Sequence, residues 1–281
     1  MRRPYKAVSL SSGAARGFYQ LGAIHAAQIN GCLQDVNIWA GSSVGAMIAC
    51  CLAVGWSPMD LFTAVCTDDI NQYLNVQIDI QSALTHWGLF DNTQLKQFIA
   101  KLIRQKWGGI PTFGELYKHN IIFVCTAYKI KHSHPRVYFS YLTHPDMSVL
   151  DAVMLSSNIP LLFRAIQYEG DYYIDGGSFA LNPADWVAEN LLKPDESVLT
   201  ITLDLRDDRE NDQPPESITD YVKEIVFLPL FNQKAPSPTS QIDVMLVRTD
   251  LQDVNLPISI DNKTKIKWFV FGLEQGLEFF K

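Results

Sequence analysis

Five residues, Gly41-Ser42-Ser43-Val44-Gly45, separate a short apolar stretch at 36–40 from a helical stretch of small residues that runs to Val54. A passage that short between a strand and a helix requires a sharp turn, so the pentapeptide predicts a strand-turn-helix unit. The flanking glycines keep the turn open where a Cβ would strike the neighbouring strand or helix. The turn lifts the side chain of Ser43 above the sheet, and the helix behind it aims its N–H groups and positive dipole end at the same place. Ser42, one position out of register, reads as structural.

The surrounding pattern repeats the alternation. Residues 7–10 read as a buried strand, 11–16 as a loop of small residues, and 17–30 as a helix that Gly31 stops. Residues 56–117 read as mainly helical, 121–130 and 136–141 as strands joined by a hairpin or edge connection, 151–158 as a helix ended by Pro160, and 198–203 as one more buried strand. Alternation of this kind predicts an α/β fold of three layers, a central and largely parallel sheet flanked by helices. At 281 residues and 47% hydrophobic the chain has ample material for one large core, and no point divides it. We therefore expect a single domain over 1–281, with the motif-bearing core at about 5–205 and an insert and C-terminal helix at about 206–281. The insert has polar, proline-bearing ends at 206–220 and 232–241 around an apolar centre at 221–231, a composition that suits either a lid over an apolar site or an irregular surface excursion. In 264–280 the spacing puts Ile266, Phe269, Val270, Leu273, Leu277 and Phe280 on one helical face with Trp268, Phe271 and Phe279 outside it, a width that favours core packing on more than one side over an apolar surface offered to a membrane or partner.

Composition removes several classes of function. With 23 Lys+Arg against 30 Asp+Glu, the net charge of -7 has the wrong sign for binding nucleic acid through overall charge. Five cysteines without a C-x-x-C pair read as reduced, mostly buried thiols of an intracellular protein. The basic start at 1–6 leads into an apolar stretch broken at Ser9, Ser11, Ser12 and Gly13, which is not a signal-peptide pattern. The longest apolar run, 46–56, is far short of the roughly 20 residues that span a bilayer. The expectation is a cytoplasmic chain without a transmembrane segment, meeting membranes peripherally if at all.

A serine that attacks needs a base. The six histidines, His25, His86, His119, His132, His134 and His144, all lie in the first part of the chain, so a triad in the order serine, acid, histidine would have to finish by His144. They read better as surface residues, and His132-x-His134, without acidic ligands nearby, makes a poor metal site. The other candidate is Asp175 in Asp175-Gly176-Gly177, after the apolar Tyr172-Tyr173-Ile174. A carboxylate at a strand end beside two glycines can approach another backbone closely and take a serine proton directly, although the same tripeptide also suits a simple turn. The loop Ser12-Gly13-Ala14-Ala15-Arg16-Gly17, ahead of a helix, offers open N–H groups to an oxyanion or a phosphate. Neither nucleotide-loop pattern, G-x-x-x-x-G-K-[ST] nor G-x-G-x-x-G, is present.

With these three pieces in chain order the sequence resembles the patatin-like phospholipases, lipid acyl hydrolases that use a Ser-Asp dyad. The resemblance runs from the first strand to at least Pro183, and 112–116, Ser156-Ser157-Asn158-Ile159-Pro160 with Phe163, and Asn182-Pro183 add to it. It implies Ser43 as nucleophile, Asp175 as its base, and oxyanion donors from the backbone at Gly13, Ala14 and Ala15. Gly41, Gly45, Gly176, Gly177, Ser12, Arg16 and Gly17 support the motifs. Arg16 would hold the loop through backbone carbonyls or meet a lipid phosphate. The implied reaction is phospholipase A-type cleavage of fatty-acyl esters at a membrane or micelle surface through an acyl-serine, with no metal or cofactor. Acyl transfer to an alcohol or lysolipid, and a lipid- or partner-binding protein that has lost catalysis, remain as alternatives. The departure lies in the first loop, where the family has glycines and this chain has Ser12 and Ala14. A positive φ at either position would cost on the order of 1 to 2 kcal/mol.

Overall fold

The computed structural model describes residues 5–68, 85–133, 135–178, 182–204, 235–249 and 260–281, with single positions at 214, 216, 217, 221, 225 and 228. The architecture is the expected mixed α/β one. Strands β1 (Ala7–Leu10), β2 (Ile38–Ser42), β4 (Ile122–Lys129), β9 (Val198–Asp204) and β10 (Ile242–Arg248) form the parallel part of a sheet in the order β10-β9-β1-β2-β4. All four residues of β1 are buried, as befits a parallel strand covered on both faces.

Side chains alternate across the sheet. Val8, Leu10, Phe123, Cys125, Leu199 and Ile201 face a large core built with helices α1 (Gly17–Ile29), α2 (Val44–Ala53), α3 (Pro58–Thr67), α4 (Thr93–Trp107), α5 (Phe113–Lys118), α6 (Val149–Ser156) and α8 (Asn262–Phe279). Ala7, Ile38, Ala40, Val124, Val198 and Ile242 face a smaller core covered by α7 (Ala184–Leu191). The sheet is thus the middle of three layers, with most of the apolar burial on one side. Local signals set several helix starts: Ser57, Ser148 and Asp261 accept N–H bonds as N-caps, and Thr112 with Glu115 forms a capping box.

Beyond β4 the sheet turns antiparallel. The expected hairpin is present, with β5 (Arg136–Phe139) running antiparallel to β4, and β8 (Asp171–Asp175) also runs antiparallel to it. The short strands β7 (Ile166–Tyr168), paired to β8, and β3 (Gly88–Phe90) with β6 (Leu161–Phe163), paired as a separate two-stranded sheet, lie beyond the sequence expectations, as does β10. These are short segments whose pairing partners are distant in sequence, so their own pattern is weak. The lid expectation for 206–241 falls largely outside the described residues.

The C-terminal helix packs in the core as expected, on a face rotated from the expected stripe: Phe269 is buried and Leu273 and Phe280 are half-buried against the core. Lys265, Trp268, Phe269, Gly272 and Gly276 are buried, whereas Ile266 and Val270 are 51% and 42% exposed. The cause is the crossing with α1. A Cβ on Gly272 would strike the Tyr19 carbonyl, and one on Gly22 the Phe269 carbonyl, so the backbones touch where the glycines lie. Tyr19 and Trp268 then stack at 5.3 Å between centroids and Phe62 and Phe269 at 4.2 Å. A pattern that counts only large apolar residues misses a seam made by small ones. Among the described residues no single helix is long and apolar enough to cross a membrane.

Candidate active site

Residues of β4 pair on both edges, and this brings the two halves of the site together. Residues 125–128 of β4 pair with β5 on one edge. The other edge is shared end to end: β2 pairs with residues 122–126 and β8 takes over from 127 to 129. Ser42, the last residue of β2, therefore sits opposite Thr126, and Asp175, the last of β8, opposite the next residue, Ala127. Two strand ends that approach each other head-on leave Ser43 and Asp175 side by side.

Glycines make this approach possible. A Cβ on Gly41 would strike the Gly45 carbonyl, and one on Gly45 would lie 2.5 Å from the Ser11 carbonyl oxygen. Gly176 sits against the Thr126 carbonyl and Ser42, and Gly177 against Ser12. Ser43 itself has φ 57° and ψ −126°, a conformation costly for a residue with a side chain and paid for by its surroundings. The strand reaches further than its apolar residues suggest, since Gly41 and Ser42 both pair with β4.

The Ser43 hydroxyl donates to Asp175 Oδ2 at 2.6 Å, and the Gly177 N–H donates to Asp175 Oδ1, also at 2.6 Å. Both side chains are buried, at 5% exposure. Burial pushes the Asp175 carboxyl up to about 7, against the lowering effect of the Ser43 hydroxyl and the Gly177 N–H. A carboxylate of that basicity, in contact with a hydroxyl, can accept its proton near neutral pH. Among the described residues no histidine bonds to either group.

The Ser12-to-Gly17 loop lies against the same turn. Gly17 would carry a Cβ 2.7 Å from Val44 Cγ2, and one on Gly13 would strike Leu203 with Val44 next to it. Ser11 anchors the loop, accepting from Gln20 Nε2 at 2.7 Å through its carbonyl and from the Leu203 N–H at 3.0 Å through its hydroxyl. The N–H groups of Gly13, Ala14 and Ala15 meet no acceptor among the described residues, leaving three backbone donors ahead of a helix. Of the two replaced glycines, Ala14 adopts φ 50° and Ser12 does not have a positive φ. The strain foreseen for the loop therefore falls on Ala14 alone. Arg16 is only 7% exposed, and its backbone N–H donates to the Gly13 carbonyl at 3.0 Å.

A fourth segment joins the site with no signal beyond its resemblance to the family pattern. At the end of α6, Ser156 Oγ accepts the Ser43 N–H at 3.1 Å and donates to the Thr126 carbonyl at 2.7 Å. Ser157 Oγ donates to the Ser43 carbonyl at 3.2 Å. The Asn158 carbonyl accepts the Asp175 N–H at 2.9 Å, and its Nδ2 donates to the Tyr173 carbonyl at 3.0 Å. Three consecutive small polar residues at a helix end would have drawn attention only to someone asking which groups hold Ser43 in place. Elsewhere, none of the five cysteines forms a disulfide, and no cluster of three or more His, Cys, Asp or Glu suited to a metal occurs among the described residues. His134 of the His132-x-His134 pair lies outside them.

A family model described as patatin-like phospholipase matches residues 8–187, which hold the loop, the elbow and Asp175-Gly176-Gly177. Among named relatives, a probable lipid hydrolase of Invertebrate iridescent virus 6 is 32% identical over 186 residues, 64% of this chain and 62% of that protein. The match thus spans about three fifths of that relative. The crystal structure of VipD from Legionella pneumophila superposes with a TM-score of 0.56 at 16% identity, covering 99% of this chain and 67% of that one. ExoU from the type III secretion system of Pseudomonas aeruginosa, solved in complex with SpcU, gives a TM-score of 0.54 at 18% identity, covering 99% of this chain and 52% of that one. At these identities the two structures are alike in fold.

Proposed function

Because the chain belongs to the patatin-like phospholipase family, a placement that supports lipid hydrolysis in general, we propose that it is a serine esterase of phospholipase A type, cleaving fatty-acyl esters of lipids with Ser43 as nucleophile and Asp175 as base. The observation that carries this reading is the 2.6 Å bond from the Ser43 hydroxyl to a buried carboxylate raised to about 7.

As Ser43 Oγ bonds to the ester carbonyl carbon, its proton passes to Asp175. The carbonyl oxygen becomes negative and is received by N–H groups from Gly13 to Ala15, where one such donor is typically worth about 3 to 4 kcal/mol. Collapse breaks the bond to the alcohol oxygen, and the lysolipid leaves with the proton from Asp175. Water then attacks the acyl-serine, giving a proton to Asp175 that returns to Ser43 as the fatty acid departs. The sum is ester plus water to acid plus alcohol, balanced without an oxidant or metal. We place the encounter at a lipid surface, where such esters lie. Trp87 and Leu161, 55% and 49% exposed beside the β3–β6 pairing, supply apolar contact there.

The test is fatty-acid release from phospholipid and neutral-lipid vesicles, read by mass spectrometry for the native chain, Ser43→Ala and Asp175→Asn. Loss of release in both variants, with circular dichroism unchanged, is the expected outcome. Release that survives either substitution removes that residue from the mechanism. Acceptor-dependent formation of a new ester would make the chain a transacylase with the same nucleophile.

A further inference from the structure

The three residues that close α6, Ser156, Ser157 and Asn158, grip the backbone on both sides of the proposed reaction centre. Ser43 is held at its N–H by Ser156 and at its carbonyl by Ser157, which are the two peptide groups that fix its φ and ψ. Asp175 is held at its N–H by the next residue in the chain, the Asn158 carbonyl. The tripeptide is itself tied to the sheet, through Ser156 to the Thr126 carbonyl and through Asn158 to the Tyr173 carbonyl. All three residues are buried, at 0%, 4% and 2% exposure.

We propose that Ser156-Ser157-Asn158 is a positioning clamp that sets the distance between the Ser43 hydroxyl and the Asp175 carboxylate. The inference rests on the proposed function and assigns to that site a group of residues acting through backbone bonds, without touching substrate. Two features carry it. First, the strand ends that bear Ser43 and Asp175 do not pair with each other; each pairs with β4, so nothing in the sheet ladder bonds one end to the other. The clamp supplies that cross-link, with no flexible linker between its grips on the two residues. Second, Ser43 occupies a φ of 57°, which a residue with a side chain abandons unless its neighbours hold it. Both of its peptide groups are engaged by side-chain hydroxyls of one dipeptide. A shift of about 1 Å at a reacting atom can cost about a hundredfold in rate, so loss of either hydroxyl should act on the chemical step.

The experiment compares the full chain with Ser156→Ala, Ser157→Ala and the double variant. Ser148→Ala serves as control, removing the N-cap at the other end of the same helix, where Ser148 Oγ accepts the Asp151 N–H at 3.4 Å. Ester hydrolysis and the rate of Ser43 labelling by a fluorophosphonate are normalised to folded protein. Each clamp variant should lower kcat by roughly ten- to a hundredfold with KM little changed, slow Ser43 labelling in parallel, and move the acid limb of the pH profile upward. That shift follows because the Ser43 hydroxyl bond lowers the Asp175 carboxyl and would be weakened, while no charged side chain contributes to its position. The double variant should lose little more than the worse single one, since both hydroxyls act on one residue. Ser148→Ala should lower the unfolding midpoint and leave kcat and the pH profile alone. The proposal is overturned if clamp variants behave like that control, or if they raise KM with kcat intact. If Ser43→Ala hydrolyses as well as the native chain, or the native chain neither turns over nor labels at Ser43, the proposed function fails and the clamp with it. If Ser43 is required and the clamp variants are unimpaired, the clamp alone fails.

Discussion

Replacing Asp175 with Asn should make the protein more stable above neutral pH while abolishing its hydrolysis. The carboxyl rises from its ordinary 3.8 to about 7 on burial. At ~1.4 kcal/mol per pH unit, ionisation in the folded chain costs about 4 kcal/mol more than in the unfolded one. Above pH 7 both states are ionised and the folded state carries the whole penalty. Below about 4 both are protonated and it carries none, so stability due to this group falls as pH rises between those limits. Asn keeps the shape, and its carbonyl can accept the Gly177 N–H that Asp175 Oδ1 accepts at 2.6 Å, but it stays neutral throughout. The variant should therefore exceed the native chain by about 4 kcal/mol at pH 8 and by only about 2 kcal/mol at pH 5. Urea unfolding followed by circular dichroism at the two pH values measures this directly. Constant differences in local bonding cancel between them, leaving a change of roughly 2 to 3 kcal/mol. Parallel stability curves for the two proteins between pH 5 and 8, or a variant less stable than the native chain at pH 8, would refute the argument that burial sets this carboxyl. A gain in stability joined to a loss of activity is the usual mark of a group kept for chemistry.

Since the proposed base works ionised, ester hydrolysis should rise with pH through about 7, the value to which burial raises Asp175; a flat rate from pH 5 to 8 would count against it. Gly45→Ala places a Cβ 2.5 Å from the Ser11 carbonyl and 2.6 Å from the Leu10 carbonyl, so it should cost about 3 kcal/mol or more in denaturant unfolding and remove Ser43 labelling. Gly272→Val, which must part α8 from the Tyr19 carbonyl, should also cost about 3 kcal/mol in unfolding, with wild-type fluorescence from Trp268 arguing otherwise. Burial raises the thiols of Cys50, Cys51 and Cys125, that of Cys51 to about 12. Alkylation of the native chain, read by mass spectrometry, should reach Cys32 and Cys66 first and leave those three unmodified until the chain unfolds.

Local residue patterns alone determined the three-layer α/β class, the strands at 7–10 and 198–203, the turn that raises Ser43, and the nomination of Asp175. Each depends on neighbours in the chain: runs of apolar residues buried on both faces, and glycines where a Cβ has no room. Other features belong to the tertiary structure. Ser43 and Asp175 meet because two strands from distant parts of the chain share one edge of β4, end to end. A one-residue pattern cannot specify a pairing with a third strand. The buried face of α8, with Trp268 and Phe269 beside Gly272 and Gly276, is set by where α1 crosses it, which leaves Ile266 and Val270 of the apolar stripe exposed. The basicity of Asp175 and the grip of Ser156, Ser157 and Asn158 arise only when the surrounding groups exclude water and present their hydrogen bonds together. Burial and hydrogen-bond geometry are properties of the assembled neighbourhood, so the sequence could nominate Ser43 and Asp175 while the fold decided their contacts and basicity.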